Sequence, residues 1–529
     1  MVLHKHIDAS DIVRDSKDQP TIDRLRGETP NRSIHSLAYG SRYATGDIPK
    51  YKLPDEPTDA SAVYQLIHDE LQLDGRPSLN LASFVGTWME PEAEKLLTES
   101  LPINLSDVEE YPATLRIQSR CVSIIGDLWK SKEAIGTSTV GSSEAIQMAG
   151  LAMKKRWQAK MRKAGKDASR PNIIMGSNAQ VALEKFARYF DVEERLVPIS
   201  EKSHHCLNIE EAAKLCDENT IGVFVILGST YTGHFENVEG MAKLLDKVQE
   251  EKGWDIPIHV DAASGGFVAP FAFPDLRWNF EIDRVKSINT SGHKFGLVYA
   301  GVGWVLWRNE DFLPKELIFE LHYLGGTEQT YTLNFSRPAC FMIGAYYNLI
   351  RLGRAGFKSI MENCLVNATL LSRCLERSGY FDVISDMHRP VGVFGADYKE
   401  GAHGKKQNPS LPVVAFKLTD EFKKENSHVK QVAISTLLRV KGWIVPNYPL
   451  AKGEEEIEIL RVVVRESLSE ELIEGLVEDI IEAVEILKEN SPFDVGVLST
   501  KDGGKHRKTP HGKLSGKLSH ATKTFGRTC

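Results

Sequence analysis

From Val285 to Lys294 the chain runs out of a β-rich segment into a Gly- and Ser-rich turn that ends on the pair His293 and Lys294. A second apolar strand follows at Gly301. A lysine held at a strand end among partly buried groups gives up its proton readily, because burial disfavours the ammonium, and the free amine forms an imine with an aldehyde. A lysine in a loop is more often a solvated surface charge, so its surroundings decide. Thirty-three residues earlier, the run Pro257–Ser264 places Asp261 where a buried strand ends. An acid there can keep a pyridine nitrogen protonated, and the ring then accepts the electrons of a breaking bond; an aspartate capping the next helix has the same look. The third element is Gly141, Ser142, Ser143, Glu144 and Ala145, opening a helix that runs to about Lys163. Small residues at a helix start bring backbone N–H groups and the positive dipole end to an anion such as a phosphate, although an ordinary N-cap reads alike. An imine-forming lysine, an acid for a ring nitrogen and a phosphate cradle together point to pyridoxal 5'-phosphate (PLP).

The elements that must hold these residues are legible as alternation. Between Ala60 and about Asn334, β-rich runs at Asn172–Met175, Gly222–Leu227, Ile256–Asp261, Val285–Ile288 and Gly301–Trp307 alternate with amphipathic helices such as Ser143–Lys163 and Val238–Glu251. That pattern predicts an α/β layer with a mostly parallel sheet, whose ligands sit at strand ends and helix starts. After Pro338 a long helical stretch, Ala339–Arg377, leads into a strand (Val413–Leu418), a helix (His428–Val440), a strand (Ile457–Arg465) and a last helix (Ser469–Lys488), which read as a smaller α+β domain. In Ile457–Arg465, strict alternation puts Arg461 on the face of Ile457, Ile459 and Val463, so its guanidinium wants an anionic partner near the core, either a ligand or a structural carboxylate. The expected division is an arm at 1–58, a large domain at 59–338, a small domain at 339–492 and a tail at 493–529. From Lys501 the tail carries eight Lys or Arg against one acid, Asp502, and is expected to be disordered.

The bulk numbers exclude other classes. With 529 residues and 42% apolar content the chain buries a large core, and 65 basic against 72 acidic residues give a net charge of −7. That balance exerts no pull toward nucleic acid or anionic membrane. Seven widely spaced cysteines show no metal-ligand pairing and read as reduced thiols in a cytoplasmic protein. No stretch has signal-peptide or membrane-spanning character.

These motifs resemble the glutamate decarboxylases, a branch of the group II PLP-dependent decarboxylases. Gly141–Ala145, His259–Gly266, Ser291–Leu297, Tyr323–Gly326 and Asn334–Pro338 recur in family order, within a likeness spanning roughly residues 32 to 490. The resemblance implies an aspartate aminotransferase-type fold (fold type I), a homodimer or assembly of dimers, and an active site between protomers. It implies that Lys294 carries PLP as a Schiff base and that the enzyme converts L-glutamate to 4-aminobutyrate and CO2. By position, Ser142 and Ser143 would bind the phosphate, Gln180 would lie over the pyridine ring, and Thr230 and Asp261 would line its polar edge. Ser291 and His293 would support the phosphate, with Ser336 reaching it from the neighbouring subunit. Ser83 and Phe84, with Asn104 and Asp107 from the partner chain, match the region that receives the distal carboxylate, and Arg461 matches the α-carboxylate site. Asp107 beside a carboxylate has to be protonated, a state that like-charge proximity favours. Tyr323 or Lys294 would return a proton to the α-carbon. No metal is implied. Another decarboxylase of the group, acting on cysteine sulfinate, aspartate or aromatic amino acids, and a silent scaffold remain the alternatives. Basic tails bind calmodulin in plant relatives, but the tail here has no tryptophan anchor and no amphipathic period, which favours a solvated segment.

Overall fold

The computed structural model describes residues 52–107, 109–133, 135–321, 328–394 and 407–489. The extreme amino terminus, Tyr323 and the basic tail lie outside the described residues. The chain divides into two units, Met1–Arg76 and Pro77–Cys529. In the first, helix α1 (Ala60–Leu71) is capped by Asp59, whose carboxylate accepts from Ser61 N and Ala62 N, both at 3.0 Å. None of its residues is buried, and Tyr64, Ile67 and Leu71 stand exposed at one-turn spacing.

The second unit is built on a seven-stranded sheet: β1 (Ile135–Thr139), β2 (Asn172–Gly176), β3 (Glu193–Val197), β4 (Thr220–Ile226), β5 (Ile258–Asp261), β6 (Val285–Ser291) and β7 (Gly303–Trp307). The spatial order is β1-β7-β6-β5-β4-β2-β3, parallel from β2 to β6. Here the strand expected at Gly301–Trp307 starts two residues later and runs antiparallel to both β6 and β1. Sequence reading missed β1 and β3, and each has a reason. β1 reads Ile-Gly-Thr-Ser-Thr and β3 reads Glu-Glu-Arg-Leu-Val, the polar and charged composition that edge strands carry to resist further pairing. The inner strands are buried along their length except at Lys286 of β6.

Alternation along those strands makes two cores. Ile173, Met175 and Phe224 face helix α2 (Ser142–Lys163), through Ile146 and Met153, and helix α3 (Val181–Tyr189), through Leu183 and Phe186. Ile174, Val223 and Val225 face helix α4 (Val238–Lys252), through Val238, Met241 and Leu245, together with Ile125 and Trp129. A short hairpin, β8 (Phe319–Leu321) with β9 (Glu328–Thr330), follows the sheet.

The helical stretch expected at Ala339–Arg377 is found at Cys340–Arg377 as two helices, broken at Gly353 with φ 57 and ψ −170. Before the break Met342 and Ala345 pack on the large-sheet core; after it Phe357 and Met361 still pack there, and Leu365, Ala368, Leu371 and Leu375 pack on a second core. That second core lies against an antiparallel sheet of order β10-β11-β13-β12, made of β10 (Phe381–Val383), β11 (Val413–Leu418), β12 (Asn447–Pro449) and β13 (Glu458–Val463). Helices α5 (Gln431–Val440) and α6 (Glu470–Glu489) cover it. On β13, Leu460 and Val462 enter this core, while Ile459, Arg461 and Val463 take the opposite face, as alternation requires. Residues 79–81 are stitched to the same sheet: Ile444 N donates to Leu79 O (3.0 Å), Leu81 N to Ile444 O (3.1 Å) and Val463 N to Leu81 O (2.9 Å).

Candidate active site

The chain order reverses direction between β2 and β4: β3 lies outward of β2, while β4, β5, β6 and β7 follow on the other side. Parallel sheets open a crevice at such a point, beyond the carboxyl ends of the strands. The cleft lies there, and each strand end contributes: Asn178 and Gln180 after β2, Gly228 and Thr230 after β4, Asp261 at the end of β5, and Lys294 after β6. Sequence positions far apart thus converge because neighbouring parallel strands end at one level.

Lys294 is 6% exposed and its Nζ lies 5.4 Å from the centroid of the Phe84 ring. Arg461 stands over the same ring, with Cζ 5.2 Å from the centroid. The Arg461 guanidinium is anchored by backbone carbonyls, Thr230 O (2.7 Å) and Ala82 O, while its Nε is buried without a hydrogen-bond partner among the described residues. Both of these hydrogen bonds go to backbone carbonyls and neither to a carboxylate, so the structural-carboxylate alternative for Arg461 finds no support. Phe84 is buried and packs edge-on against Phe295. Its neighbour Ser83 uses its hydroxyl to accept from Val85 N at 3.0 Å, turning the chain so that Phe84 points inward.

Asp261 is buried, and its Oδ1 accepts from Ala263 N (3.1 Å) and from Asn289 Nδ2 (2.9 Å). A second buried acid, Glu236, holds the loops around the cleft. It accepts from Ile226 N (2.7 Å), Asn178 Nδ2 (2.9 Å) and Leu207 N (3.0 Å), and burial lifts its carboxyl to about 7 against the pull of these donors.

The phosphate cradle expected from the sequence has a matching shape. Helix α2 starts at Ser142 with no side chain capping it. The ring of His293 lies against Gly141, and its Nδ1 accepts from Gly301 N and Val302 N, both at 3.3 Å. Burial, with help from the Lys294 charge, pushes His293 down to about 4, so the ring is neutral and its Nε2 carries the proton. Gly303 makes the approach feasible: a Cβ there would sit 2.5 Å from the Gly141 carbonyl carbon and 2.8 Å from Ser142 N. Glu144 fastens the cradle by accepting from Val140 N (2.9 Å) and Asn334 N (3.0 Å).

Two buried oxygens, Gln180 Oε1 and Ser291 Oγ, have no hydrogen-bond partner in the described structure. Orphaned groups of this kind call for a polar occupant, and a cradle for phosphate, an acid for a ring nitrogen and a lysine for an aldehyde define one. The residues present therefore fit PLP. Among the described residues there is no group of three or more His, Cys, Asp or Glu able to hold a metal ion.

Some expected residues stand apart from the cleft. Ser142 is buried at the cradle, whereas Ser143 and Ser336 are exposed. Asn104 bonds to the segment before Pro338, its Oδ1 accepting from Arg337 N (3.1 Å) and its Nδ2 donating to Asp107 Oδ1 (3.0 Å). None of these lines the cleft. Conversely, Asn178, Glu236, His259 and Asn289 were not singled out as site residues by sequence reading. His259 and Asn289 carried a signal, since polar residues in the middle of buried strands need partners.

A model of the pyridoxal-dependent decarboxylase conserved domain matches residues 49–396. The chain is 49% identical over 442 residues to the glutamate decarboxylase of Petunia hybrida, covering 83% of each. It is 50% identical over 446 residues to that of Saccharomyces cerevisiae, covering 79% of this chain and 76% of the yeast one. A solved glutamate decarboxylase of Lactobacillus brevis superposes with a TM-score of 0.77 at 38% identity, over 86% of this chain and 98% of that one. A sphingosine-1-phosphate lyase of Burkholderia pseudomallei, 18% identical with a TM-score of 0.66 over 86% of this chain and 95% of its own, shares the fold alone.

Proposed function

The chain belongs to the pyridoxal-dependent decarboxylase family, and from that premise we propose how its cleft removes CO2 from L-glutamate and releases 4-aminobutyrate. It has the α/β fold of type I PLP enzymes and acts as a PLP-dependent decarboxylase of glutamate. When bound, PLP supplies an electron sink for the bond between the α-carbon and its carboxylate. The chain's own residues do the rest. Lys294 is the amine that would hold the aldehyde carbon and, when free, would take and return protons. Asp261 would keep the proton on the ring nitrogen. Gln180 would cover the ring and Thr230 would line its edge. His293 would donate from Nε2 to the phosphate, with Ser142, Ser143 and Ser291, and Ser336 would join from a partner subunit.

Arg461 receives the α-carboxylate. Its Nε without a partner among the described residues, its buried setting and its contact with the same Phe84 ring as Lys294 support this role. Ser83 and Phe84 shape the pocket for the distal carboxylate, completed by Asn104 and Asp107 of a second protomer. Tyr323 or Lys294 returns the proton to the α-carbon. The enzyme works as a homodimer or an assembly of dimers. In support, Ser336, Asn104 and Asp107 lie off the cleft of their own chain, and the apolar stripe of α1 is uncovered among the described residues. We read the chain as an arm at 1–58, a large domain at 59–338, a small domain at 339–492 and a tail at 493–529, and do not favour calmodulin as a partner. The described cysteines are free thiols, which supports a cytoplasmic setting.

One observation carries this reading: Lys294, Asp261, Gln180 and Thr230 converge on one cleft at the switch point. Purified enzyme supplied with PLP is expected to turn yellow and release CO2 from glutamate, and Lys294→Ala to do neither. A yellow protein inert to glutamate would move the assignment to another amino acid, and a colourless one would remove the cofactor.

A further inference from the structure

Behind Asp261 a line of buried polar side chains crosses from β5 to β6 and ends away from the cleft. Asn289 Nδ2 lies 2.9 Å from Asp261 Oδ1, Asn289 Oδ1 lies 2.7 Å from His259 Nε2, and His259 Nδ1 lies 2.7 Å from Ser287 Oγ. All four residues are at most 3% exposed. Strand pairing sets this arrangement, since His259 stands opposite Ser287 and Asp261 opposite Asn289 in the parallel β5–β6 register.

The direction of every hydrogen bond follows from the carboxylate end. An ionised carboxylate only accepts, so Asn289 must turn its amide nitrogen to Asp261 and its oxygen to His259. An amide oxygen only accepts, so His259 Nε2 must carry the proton. A neutral ring has no proton left for Nδ1, which therefore accepts from the Ser287 hydroxyl. Burial supports the neutral ring by pushing His259 down to about 4.

We propose that His259 is a positioning residue for Asp261, acting through Asn289: its neutral ring locks the Asn289 amide so that an N–H always faces Asp261 Oδ1. With Ala263 N on the same oxygen, Oδ1 is occupied by two donors, and Oδ2 is left to face the pyridine nitrogen. The carboxylate is then fixed in direction, which is what a protonated ring nitrogen requires. Without the ring, the Asn289 oxygen loses the donor that holds it, and the amide is free to swing its N–H away from Asp261 Oδ1. This inference rests on the assignment of Asp261 as partner of the ring nitrogen.

The test reads the ring nitrogen directly, using holoenzyme loaded with PLP labelled with nitrogen-15 at the pyridine position, by solid-state NMR alongside kcat and KM. In wild type the shift should be that of a protonated ring. His259→Phe, similar in volume but without donors, should move it toward the unprotonated value and lower kcat roughly tenfold or more, with KM for glutamate within about twofold. His259→Gln, whose amide N–H reaches the place of Nε2, should recover most of both. Ser287→Ala removes only the far end, so it should shift both in the same direction by less, and it decides the matter should His259→Phe fail to fold. An unchanged nitrogen shift and kcat in His259→Phe or, failing that, in Ser287→Ala, accompanied only by a lower melting point, would reduce the relay to packing. Asp261→Asn is the control on the premise: a ring still protonated in that variant overturns the assignment of Asp261 itself.

Discussion

Two ring cations and one aromatic define the reacting corner: Lys294 and Arg461 stand within 5.4 Å and 5.2 Å of the Phe84 centroid. Arg461→Lys keeps the charge but loses the planar fork, two arms of which already hold Thr230 O and Ala82 O. It should raise KM for glutamate about tenfold with a smaller loss in kcat, measured by CO2 release. The buried imidazoles make a pH prediction. His259 and His293 are both held near 4, below the ordinary value of 6.5, so between these limits the unfolded chain binds more protons than the folded one. Their contribution is fully present above about 6.5 and is lost as pH falls toward about 4, at up to about 3 kcal/mol for each ring. Urea titrations of the PLP-free enzyme across that window should show falling stability, and His259→Gln should flatten part of the slope. At this scale Lys294, Asp261 and the cradle were legible because motif and chemistry coincide within a few residues. Glu236 and Asn289 were not, because their roles depend on partners in other strands.

Among elements, the inner strands and the two long helices of the large sheet were legible from periodicity, with ends displaced by up to three residues. The edge strands were not, since their polar composition reads as loop. The break in Cys340–Arg377 was equally hidden: Gly353 sits in a helix-favouring run, and nothing in the periodicity marks where the helix is interrupted. At φ 57 and ψ −170 this backbone belongs to a region almost confined to glycine. No atom lies within 4 Å of a Cβ placed there, so Gly353→Ala isolates backbone strain from crowding. It should cost about 1–3 kcal/mol in urea unfolding while leaving KM for glutamate in place.

For the whole molecule, the α/β layer and its smaller α+β companion followed from the order of elements, but the way the chain's front is fastened to its end did not. Arg465, 2% exposed, donates to the carbonyls of Pro77 (2.9 Å), Asn80 (3.1 Å), Val85 (3.0 Å) and Gly86. Arg465→Met should leave these oxygens without donors and lower stability by about 2–4 kcal/mol, with a parallel loss of kcat as Phe84 loosens; calorimetry and CO2 release would check both. The stitching of residues 79–81 to Ile444 and Val463 adds to the same clasp. Its consequence belongs to the birth of the protein. Phe84 is made early, yet the strand that seats it, with Arg461 and Arg465, emerges some 380 residues later. Closing so long a loop is slow, and until it closes the floor of the cleft stays open and apolar. A chain still on the ribosome has its lysine and its acid but no finished room for the cofactor, and in that interval it depends on chaperones and is exposed to proteases.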